Sequence, residues 1–382
     1  MRRGERMFRV AWKIGLIVAT CGLWGCAAKR PSGPVIPPSG IVIHPPTPTV
    51  VVPVPPEPPV VRPPEPTAVP VPRSQPVSRD SIAAGNATGS GLRHTNDITA
   101  WLRDHGWSAP HPVTRGRDLR YETEAPAGRF AVVVGQKEAE WNGRRLLLGF
   151  EPRVVAGQLW LHPLDIESHV EPLLGSGPWH PVERTIMIDP GHGGRQPGTR
   201  SILGNQFEKD LTLDWAFRLR ALLEARGWKV TMTRTNDLDL ALAERVDLAE
   251  AAGVSVFVSL HFNSSFPSQQ AAGLETYCLT PRGMASHVVR EYADEVGRAF
   301  PNNLHDADNL RLAVAVHRAV IASTGSEDRA VRHARFMDVL RWQNRPAILV
   351  EGGFLSNPEE ARRIQTPEFR QRLAEGVAAA FP

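Results

Sequence analysis

Hydrophobic residues recur with two different periods in the second half of the chain, and the two periods alternate. Short apolar runs that are typical of buried strands lie at 185–188, 229–233, 254–260 and 347–350. Amphipathic segments with apolar residues three or four positions apart lie at 208–226 and 240–252. Strands that alternate with helices are joined by right-handed crossovers, which cover a parallel sheet with helices. Residues 183–382 are therefore predicted to form an α/β domain with a twisted, mainly parallel sheet.

A different pattern precedes this domain, at residues 92–178. It predicts a short helix at 97–105, strands at 130–134, 145–148 and 158–161, and a closing helix at 165–174. Asn142-Gly143 is a strong turn signal, so a hairpin is expected between the first two of these strands. We predict a small α+β module here.

The first 25 residues have the pattern of a secretory signal peptide. A basic stretch ends at Lys13, and an apolar run of about 11 residues follows, too short to span a bilayer comfortably. Leu23-Trp24-Gly25-Cys26 resembles the lipobox of bacterial lipoproteins, which implies a lipid on Cys26. Because Ala27-Ala28 carry no acidic retention signal, a periplasmic protein anchored to the outer membrane is expected. The alternative is an uncleaved signal anchor.

Proline and charge are both localised, and this changes what they mean. Of the 35 prolines, 18 fall between Pro31 and Pro76. Proline fixes φ and removes a donor, so residues 26–91 are predicted to be a disordered, partly polyproline II linker. The net charge of +4 belongs to residues 1–25, which hold five basic residues and one acidic residue, while the remainder holds 39 of each. A basic nucleic-acid-binding protein is therefore excluded, and no nucleic-acid partner is expected.

Cysteine usage agrees with export. Cys21 would be lost with the signal peptide and Cys26 would carry the lipid, so only Cys278 would remain and no internal disulfide is expected. Cys278 lies in an apolar, strand-like run, which predicts a buried and inert thiol.

Candidate catalytic groups follow three of the predicted strands. His261 and Glu351 stand directly after predicted strands, His192 follows the strand at 185–188 in a glycine-rich turn, and Glu208 opens a predicted helix. Ligand sites of open α/β sheets lie at the carboxyl ends of the strands, so these groups should converge. Two imidazoles and a carboxylate form a catalytic zinc set with an open position, and a further carboxylate would be available as a general base. Any one of these residues alone is more often structural.

Five motifs carry a resemblance to a known family. They are 186–194, 208–210, 233–234, 259–263 and 350–357. In this order they resemble the zinc-dependent N-acetylmuramoyl-L-alanine amidases, the type 3 branch that includes the cell-division amidases. The resemblance covers residues 184–382. It implies zinc held by His192, Glu208 and His261, with Glu351 as the catalytic acid and base.

The resemblance also implies a substrate, which is peptidoglycan cleaved between the lactyl group of N-acetylmuramic acid and L-alanine of the stem peptide. Asn263 is expected either to bind substrate or to orient a metal ligand, and Arg234 is expected to pair with a carboxylate of the fold. Two alternatives stay open, namely a peptidoglycan-binding protein without activity and another zinc hydrolase such as a peptidase or sugar deacetylase. Complete filling of the catalytic positions argues against the first.

The α+β module has a weaker resemblance of its own. The run from Phe130 through Asn142-Gly143 to Leu174 is similar to the N-terminal stalk module of copper amine oxidases, which occurs fused to cell-wall enzymes. The alternative is the sandwich module that targets some cell-wall amidases to the septum. Neither implies catalysis or copper here, so a role in binding or positioning is predicted.

Residues 282–303 raise the question of regulation. In division amidases an inserted helix near this region blocks the zinc until an activator protein moves it. Here a helix is predicted at 285–300, either an ordinary surface helix or an autoinhibitory one. The second interpretation would add an activator protein to the partners.

Overall fold

The computed structural model describes residues 98–382, apart from 176, 178, 205 and 289–292. The predicted signal peptide at 1–25, the lipidation site at Cys26 and the linker at 26–91 all lie outside the described residues. Within the described part, none of the helices has the length and apolar character needed to cross a membrane.

The described residues alternate strands and helices as the hydrophobic pattern predicts. The strands are β1 (His111–Arg115), β2 (Asp118–Ala125), β3 (Gly128–Val133), β4 (Glu138–Trp141), β5 (Arg144–Leu147), β6 (Arg153–Val155), β7 (Gln158–Trp160), β8 (Thr185–Pro190), β9 (Lys229–Met232), β10 (Val256–Asn263), β11 (Leu274–Cys278), β12 (Asp328–His333) and β13 (Ala347–Phe354). The helices are α1 (Thr99–Asp104), α2 (Pro163–Asp165), α3 (Glu208–Glu224), α4 (Leu242–Ala252), α5 (Asp306–Thr324), α6 (Asp338–Arg341), α7 (Pro358–Ile364) and α8 (Pro367–Ala379).

Eleven of these strands form one sheet, which confirms the mixed α/β fold. Their order is β1-β2-β3-β4-β5-β12-β11-β13-β10-β8-β9. The neighbouring strands β13, β10, β8 and β9 are parallel to one another, whereas β11 is antiparallel to β13. The carboxyl ends of β8, β10 and β13 therefore meet at one edge of the sheet, and β11 starts at that edge.

Alternate side chains of the parallel strands enter two different cores, because successive residues of a strand point to opposite faces. Ile186 and Ile188 of β8 join the larger apolar cluster, which α3, α5 and α8 cover. Met187 lies between them in sequence but joins the smaller cluster, which contains Val339 and Leu340 of α6. Both faces are buried, which explains the uninterrupted apolar runs of these strands.

The smaller module and the second domain share this sheet. Leu146 of β5 pairs with Val331 of β12, and the backbone N–H of Arg145 donates to Asp328 across the junction at 3.1 Å. Asn142-Gly143 does form a hairpin turn, but the structure corrects its partners, because it joins β5 to the unpredicted strand β4. The predicted closing helix is α2 followed by a wider π-helix, Ile166–Gly175.

The helix predicted at 285–300 is wrong for its described residues, which form turns and bends. Their backbone hydrogen bonds are made elsewhere, since the N–H of His287 donates to the carbonyl of His333 at 2.9 Å and that of Ser286 to Asp294 Oδ2 at 2.5 Å. Because β11 runs antiparallel to β13, this segment leaves the sheet at the edge opposite the carboxyl ends of β10 and β13. The described residues of the segment therefore lie away from the edge that carries the candidate site and give the autoinhibitory interpretation no support, so it stays a hypothesis.

Candidate active site

Two histidines and a glutamate meet where β8, β10 and α3 end or begin. His192 lies just after β8, His261 lies near the end of β10, and Glu208 is the first residue of α3. One donor atom from each of the three lies within 4.8 Å of the others. Glu208 Oε1 contacts His261 Nδ1 at 2.9 Å and its Oε2 contacts His192 Nε2 at 3.1 Å. The three residues could hold a metal ion.

Glycines make room for this cluster. A Cβ on Gly191 would lie 2.3 Å from the ring of His261, and a Cβ on Gly198 would lie 2.6 Å from both Glu208 Oε2 and the His192 ring. Gly198 also has a φ of +68°, a conformation that glycine adopts without strain. His192 itself has a φ of +63°, which is uncommon for a residue with a side chain and must be maintained by its surroundings.

Glu208 is held in its charged form. Its side chain is only 4% exposed, while those of His192 and His261 are 29% and 18% exposed. Burial would raise the pKa of this carboxyl, but the hydrogen bonds and charges of the two imidazoles outweigh it and hold the pKa well below its usual range. The backbone N–H of Thr199 also donates to Oε2 at 2.9 Å. A buried carboxylate is thus presented beside two imidazoles that face an opening.

Glu351 lies beside this cluster on the next strand. Its register partner across β10 and β13 is His261. Oε2 of Glu351 is buried and has no hydrogen-bond partner among the described residues. Burial raises the pKa of Glu351 well above its usual value, and the charges of Glu208 and Glu275 raise it further. A carboxyl that is close to a donor cluster and has an unpaired oxygen is suited to move a proton.

Asn263 orients a neighbouring carboxylate. Among the described residues, its side chain forms no hydrogen bond with His192, Glu208 or His261. Its Nδ2 donates to Glu275 Oε2 at 2.9 Å, and the hydroxyl of Tyr277 donates to the same oxygen at 2.8 Å. Arg329 Nε donates to Glu275 Oε1 at 2.9 Å. Glu275, which faces Glu351 across β11 and β13, was not anticipated from the sequence. Its location in a short apolar strand was the only signal.

A buried ion pair supports the His192 turn and was also missed. Arg245 of α4 donates to Asp189 Oδ1 at 2.7 Å and to the carbonyl oxygen of His192 at 2.7 Å. Thr233 and Ser259 donate to the two oxygens of Asp189. Burial alone would raise the pKa of Asp189, but Arg245 and these hydroxyls hold it below its usual value.

The structure corrects the partner predicted for Arg234. Its guanidinium donates to the backbone carbonyls of Pro190 and Gly191 at 3.0 and 2.9 Å, and not to a carboxylate. Arg234 and Arg245 therefore fix the backbone on both sides of the turn that carries His192.

The donor set fits zinc. Two imidazoles with one carboxylate are the ligands of many catalytic zinc sites, and they leave a coordination position open for a reactant. The exposure of His192 and His261 leaves the cluster accessible, and Glu351 stands within the same edge of the sheet.

An α/β sheet with a His₂Glu cluster and an unpaired glutamate at its carboxyl edge has the groups that a metal-dependent hydrolase uses. The model of the N-acetylmuramoyl-L-alanine amidase family, type 3, matches residues 186–381, a little more than half of the chain. The chain belongs to this family.

Individual relatives share a similar stretch. AmiC of Escherichia coli is 32% identical over 245 residues, which cover 57% of this chain and 57% of that protein. AmiC of Neisseria meningitidis is 34% identical over 214 residues, which cover 51% of each. The chain thus spans about half the length of these two relatives. The structure of an amidase from Clostridium difficile 630 is 32% identical with a TM-score of 0.43 and covers 51% of this chain and 93% of that one.

Proposed function

We propose that this protein hydrolyses peptidoglycan at the amide between the lactyl group of N-acetylmuramic acid and L-alanine of the stem peptide. The observation that carries the proposal is the convergence of His192, Glu208 and His261 with the unpaired Glu351, in a chain of the amidase family. Zinc is the metal we propose for the cluster, because the donor set and the open position suit it.

The proposed mechanism follows from the weakness of amides as electrophiles and of amines as leaving groups. A zinc ion held by His192, Glu208 and His261 supplies the Lewis acidity that such a bond requires. Glu351 takes a proton from the attacking water and returns it to the departing amine of L-alanine. The raised pKa of Glu351 favours the protonated form that the second of these steps needs.

The remaining predictions complete the proposal. A lipid on Cys26 would attach the protein to the outer membrane, and the proline-rich linker at 26–91 would let residues 98–382 reach the wall from the periplasmic side. We propose that the module at 92–178, whether stalk-like or of the septal-targeting type, positions the enzyme on its substrate. An activator protein stays a prediction, and so does an autoinhibitory role for residues 282–303, whose described residues do not form the predicted helix.

Digestion of purified sacculi tests the activity. The full chain should release stem peptides that begin with L-alanine, and chelation of the metal should stop the release. Glu351→Gln should slow it by about 10²–10⁴-fold, the usual effect of removing a general acid or base, without loss of bound zinc. Glu359→Gln is the matched control, because Glu359 is exposed and lies outside the site.

Other products would identify the alternatives. Peptides cleaved internally would indicate a peptidase, and release of acetate would indicate a sugar deacetylase. Binding to sacculi without any product would indicate a wall-binding protein, and each of these three results would contradict the amidase proposal.

A further inference from the structure

A cavity of about 550 Å³ opens beside the cluster of His192, Glu208 and His261. Loops that follow β8, β10 and β13 form it, which are the same strands that place His192, His261 and Glu351. Four hydroxyl residues, one arginine and one exposed aromatic residue line it: Thr199, Ser201, Ser264, Ser356, Arg200 and Phe266. The backbone N–H of Thr199 binds Glu208, so the wall of the cavity is directly attached to a residue of the cluster.

Arg200 differs from the neighbouring cations Arg195, in the same loop, and Lys209, in the first turn of α3. Arg195 pairs with Asp239 and Lys209 pairs with Asp237, each at 2.6 Å. The guanidinium of Arg200 instead donates twice to the carbonyl oxygen of Gly204, at 3.1 and 2.6 Å, and has no carboxylate partner in the described part of the chain. It is also the one charged residue among the described residues that line the cavity. Its orientation is fixed, but its charge is not compensated.

The two halves of the substrate differ in charge. N-acetylmuramic acid is neutral while its lactyl group is in the amide bond, whereas the stem peptide carries carboxylates. A glutamate joined to the next residue through its side chain keeps a free α-carboxylate one residue beyond L-alanine. A fixed guanidinium is the group best suited to bind such a carboxylate. The exposed ring of Phe266, 73% accessible, adds apolar surface at the rim of the cavity.

We propose that this cavity binds the stem-peptide side of the substrate, and that Arg200 is a specificity residue that binds the α-carboxylate of its second residue. The inference rests on the proposed amidase function. The four hydroxyl groups serve the peptide backbone, whose N–H and C=O groups need partners when they enter the cavity.

The test compares two muramyl peptides that differ in one group, D-isoglutamate or its amide D-isoglutamine at the second position. Arg200→Gln in the full chain should raise KM for the carboxylate form about tenfold, the effect of one charge-assisted hydrogen bond. Its kcat should be nearly unchanged, and KM for the amide form should not change. Arg200→Lys should restore part of the discrimination. Arg195 lies in the same loop and its side chain is 93% exposed, so Arg195→Gln should leave KM unchanged for both peptides.

Three results would overturn the inference. In the first, Arg200→Gln leaves KM unchanged for both peptides. In the second, Arg200→Gln raises KM equally for both peptides. In the third, KM rises only in the Arg195→Gln control. If the wild type cleaves neither peptide, the amidase function is decided by the digestion of sacculi and the cavity is tested separately by calorimetry. In that case the carboxylate peptide should bind the full chain more tightly than the amide form does, and equal binding would reject the role of Arg200.

Discussion

Two sets of histidines lie at opposite edges of the central sheet, and they differ in their partners. His192 and His261 at the carboxyl edge share one buried carboxylate, and both side chains are partly exposed. His169, His287 and His333 lie at the junction with the smaller module and bind one another or backbone groups. Of the five, only the first two belong to a group of three metal donors within the described residues.

Five of the six ring nitrogens of the junction histidines have a hydrogen-bond partner, whereas Nδ1 of His169 is buried without one among the described residues. His169 Nε2 and His333 Nε2 are 2.9 Å apart, and the side chains are 0% and 3% exposed. His333 Nδ1 lies 3.1 Å from the carbonyl of Leu279 and 3.2 Å from the sulfur of Cys278, a free and buried thiol as predicted. Burial lowers the pKa of His333 well below its usual value. Burial therefore favours the neutral form of the His333 ring, which packs at the junction.

A carboxylate exists at the junction too, but it is used differently. Asp165 lies 3.2 Å from His169, while its two oxygens accept the backbone N–H groups of Gly149 and Phe150. Glu208 instead bridges two imidazoles that face an opening. Among the described residues, a shared carboxylate with access from solvent therefore distinguishes the candidate metal donors from the junction histidines, whereas histidine content does not.

Glu208→Gln should remove this difference and have the largest effect. A neutral amide is a poor metal ligand and cannot hold both imidazoles as a carboxylate does. Bound zinc after dialysis, measured by elemental analysis, should fall to background, and release of stem peptides should stop while the circular dichroism spectrum is unchanged.

His169→Gln is the control from the junction. It should keep its zinc, since His169 belongs to no group of three metal donors among the described residues. Retention of stoichiometric zinc by Glu208→Gln, or its loss in His169→Gln, would contradict the distinction between the two sets.

Arg245→Gln should have a smaller effect on the same site. Arg245 never contacts the cluster side chains but donates to the carbonyl of His192, whose positive φ requires support. Zinc affinity, measured by competition with a chelator, should fall about 10- to 100-fold, as for other groups that orient ligands. Loss of one partner of a buried ion pair should also lower the free energy of unfolding by about 3–5 kcal/mol.

Arg220→Gln is the control, which shows whether the loss of an arginine from any helix has the same effects as Arg245→Gln. Arg220 forms an exposed pair with Glu224 on α3, so its removal should change neither zinc affinity nor stability measurably. A zinc affinity within twofold of wild type in Arg245→Gln would show that His192 needs no such support.

Periodicity predicted the helix-covered sheet because its strands are buried on both faces and read as apolar runs. It failed where strands are half exposed. Four of the five residues of β1 are exposed, so its sequence contains no apolar run that would predict a strand. The helix predicted at 285–300 failed for another reason, since its backbone N–H groups bind the side chain of Asp294 and the distant carbonyl of His333 in place of helical carbonyl partners.

The candidate site was partly predictable for a similar reason. His192, Glu208, His261 and Glu351 stand at strand or helix ends, and the chain direction alone places such ends together. Arg245 sits in an amphipathic helix that resembles many others, and its partner Asp189 is 56 residues away. Such a pair has no local signature, so only the folded structure shows that it supports the site.

The smallest predicted effect concerns the junction histidines. Nδ1 of His287 accepts the backbone N–H of His333, and Nε2 lies 2.9 Å from the carbonyl of Leu148, so only the neutral ring satisfies both. Burial lowers the pKa of His287 from 6.5 to about 4. Between these values the unfolded chain binds the proton and the folded one does not, so stability is complete above pH 6.5 and is lost as pH falls towards 4.

His287→Gln tests this titration, since the amide keeps a donor and an acceptor but has no charge change. Between pH 6.5 and pH 4, the free energy of unfolding measured with denaturant should fall by about 3 kcal/mol more in the wild type than in the variant. This value follows because one pKa unit corresponds to about 1.36 kcal/mol. Only the difference is informative, because Asp306, whose pKa burial raises to about 7, titrates in the opposite direction in both proteins. His111→Gln, on the exposed strand β1, should follow the wild-type curve. If the free energy of unfolding depends on pH in the same way in wild type and in His287→Gln, His287 accepts a proton in the folded state. The junction would then resemble the accessible site of His192 and His261 more closely than its burial indicates.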